Sequence, residues 1–392
     1  MNPLLAQTPL PLSPPPPSPN TIRVATFNLA LNRKANGQLV RDLKNGDEQA
    51  QRLAWIVQLV RPDVLLANEV DYSNGEAAKL LSEDYFNKSH AAKIATTPCE
   101  FKHYFTGPVN TGVPSGMDLN SNGNKSDNED CWGFGAFPGQ YGMVVYSRFP
   151  IVEKDVRTFQ MFKWSTMPGA KRPKIVDKNT GEEKYFYPDN VWSQLRLSSK
   201  SHWDVPVLIG NKTLHFIASH PTPPVFDGPE DRNGCRNHDE IRLLRDYVEG
   251  SAEYFVDDHG VAGPLDHSAQ FVIAGDLNSD PEDGSGISQG IIDLLKSNRV
   301  SASFAPASLG AVEASKLQGK LNDKHRGNPA HDTGDFNDAS VGNLRIDFVL
   351  PSANCKVVGG GVFWPTSEQL KNIDPKLSDA SDHHMVWLDI QL

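Results

Sequence analysis

The chain has 392 residues, of which 38% are hydrophobic and 22% charged, a composition typical of a globular protein with room for two or three domains. No apolar run is long enough to span a bilayer. Lys+Arg 38 against Asp+Glu 48 gives a net charge of −10, and no basic cluster or tail offsets it. That argues against affinity built from many phosphate contacts along a nucleic acid. It leaves a nuclease open, because a bound divalent metal supplies its own positive charge.

Residues 1–20 form a Pro-rich lead-in, with Pro14 to Pro17 consecutive, and are expected to be disordered and solvated. The segment lacks the basic start and apolar stretch of a complete signal peptide. Mature secreted or periplasmic chains begin with tethers of this kind; a cytosolic protein with a loose end is the alternative. Thr21 to Asn28 alternates and predicts a strand with a polar tip. Asp47 to Val60 carries apolar residues at helical spacing (Ala50, Leu53, Ala54, Val57, Val60), and Pro62 follows its end. Asp63 to Glu69 predicts the next strand, so the fold opens β-α-β and points to the α/β class.

Further strands are predicted over Tyr141 to Ser147, Leu214 to His220, Phe271 to Ala274, Leu344 to Leu350 and His384 to Ile390, and a helix over Asp239 to Val248. After Ala274, Gly275 is expected to let the backbone turn. Asp276 and Asn278 would then emerge side by side, as strand residues two apart do. Polar stretches at 84–140, 160–190, 221–238 and 279–340 are too long for simple connections and read as ordered insertions or active-site loops. Because the strands run from 21 to 390, one domain over 21–392 is expected.

Cys99, Cys131, Cys235 and Cys355 include no Cys-x-x-Cys, which disfavours a zinc site. Four cysteines allow three pairings; Cys99 with Cys131 is favoured because the two bracket one insertion. Such a bridge would contribute roughly 3–4 kcal/mol in the chain-entropy model. Four reduced thiols are the alternative. Within the same insertion, Asp118, Asn120, Asn122, Asn124 and Glu129 match a twelve-residue calcium loop with Gly123 at the turn. Lys125 stands where an apolar residue is usual and the flanks do not read as helical. A single structural Ca²⁺ loop is therefore expected rather than an EF-hand pair, against the alternative of a solvated Asn/Asp/Gly turn.

Several predicted strands end in polar residues suited to phosphoester chemistry: Asn28, Glu69, His220, Asp276 with Asn278, Asp347, and Asp382 with His383. Any one of them is ordinarily a cap, an Asx turn or a satisfied edge histidine. Together, each beside an apolar run, they resist that explanation. The segments Thr26-Phe-Asn28, Asn68-Glu69, Gly142 to Ile151, Ser219-His220, Gly275-Asp-Leu-Asn278, Arg345-Ile-Asp-Phe348 and Ser381-Asp-His383 resemble the endonuclease/exonuclease/phosphatase superfamily over residues 21 to 390. That resemblance implies a four-layer α/β sandwich, with two packed, mostly antiparallel or mixed sheets flanked by helices and the site at one rim.

It further implies that Glu69 is the principal metal ligand, with Asn28 adjacent and Asp382 near the ion. Such hard oxygen donors suit Mg²⁺ or Mn²⁺, and Ca²⁺ also fits. His220 and His383 would flank the scissile phosphate, Asp347 would pair with His383, Asp276 would orient or activate water, and Asn278 would hold a phosphate oxygen. Position 30 departs from the pattern: many nuclease members carry an acid there, and this chain has Ala30. Arg232, Arg236 and His238, in the segment after His220, are candidates to grip a phosphate; a loop held by local ion pairs is the alternative reading. His331 to Asp335 is a candidate to line the pocket.

The expected activity is a metal-dependent phosphoester hydrolase, a phosphatase or phosphodiesterase on small substrates ahead of a nuclease because basic clusters are few. Its partner is then a phosphate-ester substrate, with nucleic acid as the alternative substrate and no obligate protein partner evident. A catalytically inactive binding module is the competing class, and the complete residue set speaks against it.

Overall fold

The computed structural model describes residues 12–90, 96–250, 252–371 and 373–392. Its larger sheet contains β1 (Ile22–Asn28), β2 (Val64–Asn68), β3 (His103–Phe105), β4 (Met143–Ser147), β14 (Lys356–Phe363) and β15 (Met385–Gln391). Its smaller sheet contains β5 (Arg157–Thr158), β8 (His202–Ile209), β9 (Lys212–Ser219), β10 (Gln270–Asp276) and β13 (Asp347–Pro351). Two short pairs, β6 (Lys174–Val176) with β7 (Glu183–Tyr185) and β11 (Gly334–Asp335) with β12 (Asn343–Leu344), stand apart.

The strand orders are β14-β15-β1-β2-β4-β3 and β13-β10-β9-β8-β5. Each sheet has one parallel pair, β1 with β2 and β9 with β10, and is otherwise antiparallel. Helices Gln38–Lys44 and Glu48–Val60 cover the larger sheet, and helices Arg232–Glu249 and Gln289–Leu295 cover the smaller one. The result is the expected four-layer α/β sandwich.

Period-two alternation builds this arrangement and aims the polar strand ends. In β1, Ala25 and Phe27 pack under the helices, while Ile22 and Val24 enter the core between the sheets. Asn28 follows that second set. In β10, Phe271 and Ile273 face the helices, and Val272 and Ala274 face the other sheet, so Asp276 does too. The same parity carries Leu214, Phe216 and Ala218 to His220, and sets Asp347 beside Val349. Each fully buried large apolar side chain contributes roughly 1.5–3 kcal/mol, so register is firmly held.

Asp47 caps the helix Glu48–Val60 by accepting from Ala50 N at 2.7 Å, and Arg61, at φ 55°, ends it before Pro62. Arg23 is buried on the helix-covered face of β1, the side of Ala25 and Phe27. It pairs with Asp389 at 2.8 Å, donates to Val60 O and lies 4.1 Å over the Trp387 ring. It also donates to Pro15 O at 2.7 Å, and Leu12 packs on the core, so residues 12–20 lie along the fold instead of being wholly solvated. Residues 1–11 of that lead-in fall outside the described residues.

Several expectations need correction. The cysteines are free thiols, so the Cys99–Cys131 bridge is absent. Cys99 belongs to the core under the larger sheet, whereas Cys131 turns toward Gly135 O at 3.7 Å. The helix expected over 239–248 begins at Arg232, because its first two turns carry polar residues and lack apolar periodicity. The strand expected over 344–350 breaks at Arg345 and Ile346, whose flanks pair with different partners, β11 and β10. Gly275 is a strand residue rather than a turn. A Cβ there would lie 2.1 Å from Ser219 O, so glycine is required by close strand approach.

The long polar stretches carry their own elements, including the 174–185 hairpin and helices Gln289–Leu295 and Leu309–Gln318. Among the described residues, no helix is long and apolar enough to cross a membrane.

Candidate active site

At one rim, the ends of β1, β9, β10, β13 and β15 converge. Asn28 Nδ2 donates to Asp276 Oδ2 at 3.0 Å, joining the larger sheet to the smaller. His220 Nε2 lies 3.3 Å and His383 Nε2 3.6 Å from the same Asp276 oxygen. His383 Nδ1 meets Asp347 Oδ2 at 2.8 Å, and Thr333 Oγ1 donates to that oxygen, also at 2.8 Å. Ser381 Oγ accepts from His383 N and donates to Asn28 O, fixing the entry into β15. Phe336 packs edge-on against His383 at 5.5 Å.

Burial and charge polarise this cluster. Burial alone would raise the Asp276 pKa, but His383 and His220 beside it hold the carboxyl well below its ordinary range. Asp347 is pushed up to about 6, by burial first and then by Asp276, against the pull of His383 and Thr333. Burial would lower His383, yet Asp347 and Asp276 carry it well above the usual imidazole value. His220 moves the other way, lowered by burial and by the nearby Lys200. The two histidines are thus shifted in opposite directions. His220 Nδ1 and Asp347 Oδ1 are buried with no hydrogen-bond partner among the described residues.

Asn278 leaves the strand at φ 51°. Its N–H donates to Asp276 Oδ1 at 3.0 Å in an Asx turn, and its Nδ2 donates to Pro221 O at 3.1 Å. Glu69 sits just past β2 at φ 58°, a conformation an ordinary side chain adopts only when its surroundings impose it. Its Oε2 accepts from Asn32 Nδ2 at 2.7 Å, and among the described residues no donor bonds its Oε1. Asn28 Oδ1 accepts from Ala30 N at 3.0 Å. Asp382 lies where the charges of Glu69 and Asp276 act on it, and its backbone carbonyl accepts from Asp335 N at 2.8 Å.

Among the described residues, one group of side chains is close enough to hold a cation. The ligand atoms of Asp276, Asp347 and His383 lie within 4.8 Å of one another. Both nitrogens of His383 already face carboxylates, however, so this trio suits proton handling. Asn28, Glu69 and Asp382, the residues the resemblance assigns to a metal, carry amide and carboxylate oxygens, the donor type a hard divalent ion takes.

The remaining predicted residues lie farther along the same face. Arg232 pairs with Glu230 and with Glu129, the latter at 3.1 Å. Arg236 donates to the carbonyls of Leu197, Trp132, Arg196 and Ser198. His238 Nδ1 meets Asp239 Oδ1 at 2.9 Å. In the 118–129 loop, the Asp118 carboxylate accepts from Asn122 N and Gly123 N. Asp127 gathers the side-chain amides of Asn122 and Asn124, while Glu129 accepts from Asn120 Nδ2 at 3.2 Å. The exposed loop is thus closed by its own hydrogen bonds, and a 3₁₀ turn, Asn128–Asp130, follows it.

Sequence reasoning missed Lys200 and Thr333 as individuals. Lys200, only 5% exposed, sits between Glu69, Glu240 and Asp276 in charge terms and donates weakly to Pro221 O at 3.4 Å. The lysine precedes β8, a strand the sequence reading did not identify. Thr333 lay within the segment flagged for the pocket wall, with nothing to mark its hydroxyl.

Residues 25–383 match the model of the Endonuclease/Exonuclease/phosphatase family. Comparison with curated protein sequences gives no match. Among solved structures, the chain is similar to an endonuclease/exonuclease/phosphatase from Beutenbergia cavernae DSM 12333. The two are 18% identical with a TM-score of 0.50, over 95% of this chain and 72% of that one. It is also similar to sphingomyelinase C from Streptomyces griseocarneus, at 14% identity and TM-score 0.45 over 94% and 99% of the two chains. Beta toxin from Staphylococcus aureus, solved with bound magnesium ions, gives 14%, 0.44, 94% and 99%. At these identities the likeness to the first is one of fold.

Proposed function

The chain belongs to the endonuclease/exonuclease/phosphatase family, and from that premise we propose that it is a phosphatase or phosphodiesterase acting on small phosphoesters. Members of the family are in general metal-dependent phosphoester hydrolases. The observation that carries the reading is the convergence of Asn28, His220, Asp276, Asp347 and His383 from both sheets on one rim.

Asn28, Glu69 and Asp382 would hold Mg²⁺ or Mn²⁺, with Ca²⁺ an alternative, and the bound ion supplies charge to offset that building on the phosphoryl group. Asp276 carries an anion too weakly basic to take a proton readily; its part is to orient the attacking water and to anchor both histidines. Asp347 fixes the His383 tautomer so that Nε2 faces the site as a donor to a phosphoryl or leaving oxygen. Water attacks phosphorus in line, the P–O bond to the leaving group breaks, and the leaving oxygen takes a proton from His383 Nε2, which is replaced by the proton the water gives up. Net charge of −10 and a sequence without a basic cluster or tail favour small esters over polynucleotides.

Incubating one metal-controlled preparation with plasmid DNA, a phosphodiester dye substrate, a phosphomonoester and sphingomyelin tests the reading. Faster turnover of a small ester is expected; turnover of DNA alone would transfer the assignment to a nuclease.

A further inference from the structure

Beside the catalytic rim, a cavity of about 330 Å³ opens from Glu69 and Lys200 and runs between the 111–134 segment and the first turns of helix Arg232–Glu249. Its size is at the lower end of the ~300–1,000 Å³ typical of small-molecule sites. Leu119, Trp164, Tyr187 and Leu195 form its buried walls, and Phe134 and Phe226 form an exposed lip. Trp164 Nε1 already donates to Asp239 Oδ2 at 2.7 Å, so the indole needs no polar partner from a ligand. Phe226 is 86% exposed and held at φ 66°, an outlying conformation for an aromatic residue.

The cavity also contains four cations, and three of them are occupied. Arg232 is paired with Glu230 and Glu129. Arg236 is surrounded by four backbone carbonyls. Arg196 donates to Asn110 Oδ1 at 2.7 Å and stacks over Trp132 at 4.9 Å. Lys200 differs: it is buried, makes no salt bridge among the described residues, and has one long bond to Pro221 O. It stands at the inner end, beside Glu69. One available cation at the catalytic end, with apolar walls beyond, suits one phosphoryl group joined to one apolar group. A polynucleotide would bring flanking phosphates into a space with no cation left to receive them.

Resting on the hydrolase reading above, we infer that this cavity is the subsite for the organic group of the phosphoester. It takes a single compact apolar group, aromatic in preference, while Lys200 binds a non-bridging oxygen at the junction. Burial of a phenyl ring there should strengthen binding about tenfold or more over a methyl group.

Calorimetric titration of the Mg²⁺-loaded protein with phenylphosphonate, methylphosphonate and octylphosphonate tests this without turnover. Phenylphosphonate should bind about tenfold or more tighter than methylphosphonate. The gap should shrink to about threefold or less in a Phe134→Ala/Phe226→Ala double variant, whose rings are exposed and support no core. Lys200→Met should weaken both ligands by a similar factor. Equal affinities for phenyl and methyl, or a gap untouched by the double variant, would overturn the inference. So would octylphosphonate binding far tighter than phenylphosphonate, which would indicate a lipid chain. Hydrolysis by a protein that binds phenyl and methyl alike would sink the subsite alone. A selective cavity in a protein that hydrolyses no phosphoester would sink the hydrolase reading alone.

Discussion

The side-chain amide of Asn28 and the carboxylate of Asp276, 248 residues apart in sequence, meet at 3.0 Å across the space between the two sheets. Each is the last residue of its strand, and each lies on the inter-sheet face by strand parity. The catalytic rim is therefore a product of sandwich packing: neither sheet alone assembles it.

Replacing Asn28 with Asp keeps the shape but puts a second carboxylate against Asp276, exchanging a charge-assisted hydrogen bond for repulsion. In metal-free protein this should cost about 1–3 kcal/mol by urea unfolding. A variant as stable as wild type would show that the contact does not hold the sheets in register at the rim.

Thr333 acts on the chemistry through Asp347. Thr333→Val removes the donor to Asp347 Oδ2, and Asp347 Oδ1 already has no partner among the described residues. The hydroxyl also accepts from Ile346 N and Asp347 N, each at 3.0 Å, so the variant loosens the seat of Asp347 and His383 together; we expect kcat to fall about tenfold with KM little changed. Thr333→Ser should recover most of the rate. A fall shared by Ser and Val would mean that the methyl group, not the hydroxyl, matters.

These two contacts show how far the sequence is legible. Apolar runs ending in polar residues, alternating before Asn28 and His220 and continuous before Asp276, reveal the strands and the likeness, because strand patterning is written locally. The Thr333 hydroxyl and the Lys200 ammonium gain meaning only from neighbours distant in sequence, and nothing in their own segments marks them. The sequence analysis names no strand over β14 (Lys356–Phe363), where Gly359, Gly360 and Gly361 interrupt the apolar pattern; the close approach of Leu388 and Trp387 O accounts for Gly360 in a strand. The Cys99–Cys131 bridge failed because bracketing an insertion does not bring two thiols together.

Gly275→Ala should be damaging although Gly275 has no turn role. Its new methyl would press on Ser219 O, forcing apart β9 and β10 beside His220 and Asp276. A loss of about 1–3 kcal/mol is expected, with a larger proportional loss of kcat. Unchanged thermal unfolding and turnover would contradict the close approach.

Away from the rim, His215 Nδ1 faces both oxygens of Asp204 at 2.9 Å, and Tyr247 OH donates to Asp204 Oδ2 at 2.7 Å. Burial lowers the His215 pKa, but the Asp204 bond and charge more than reverse this, so the net shift is upward. A raised folded-state pKa stabilises the protein fully below the unfolded value of about 6.5, and the gain is lost as pH rises through the folded value. The stability difference between wild type and His215→Asn should thus be larger at about pH 5.5 than at about pH 9. A difference independent of pH would refute the linkage.

Steady-state hydrolysis of bis(p-nitrophenyl) phosphate by wild type and Asp276→Ala, each stripped with chelator and then given Mg²⁺ or Mn²⁺, tests the central claim most directly. Stripped wild type should be inactive and recover with the metal, while folded Asp276→Ala should stay about a thousandfold or more slower. Turnover that survives stripping, or a metal-loaded variant within about tenfold of wild type, would contradict a metal-dependent centre built on the two-sheet rim.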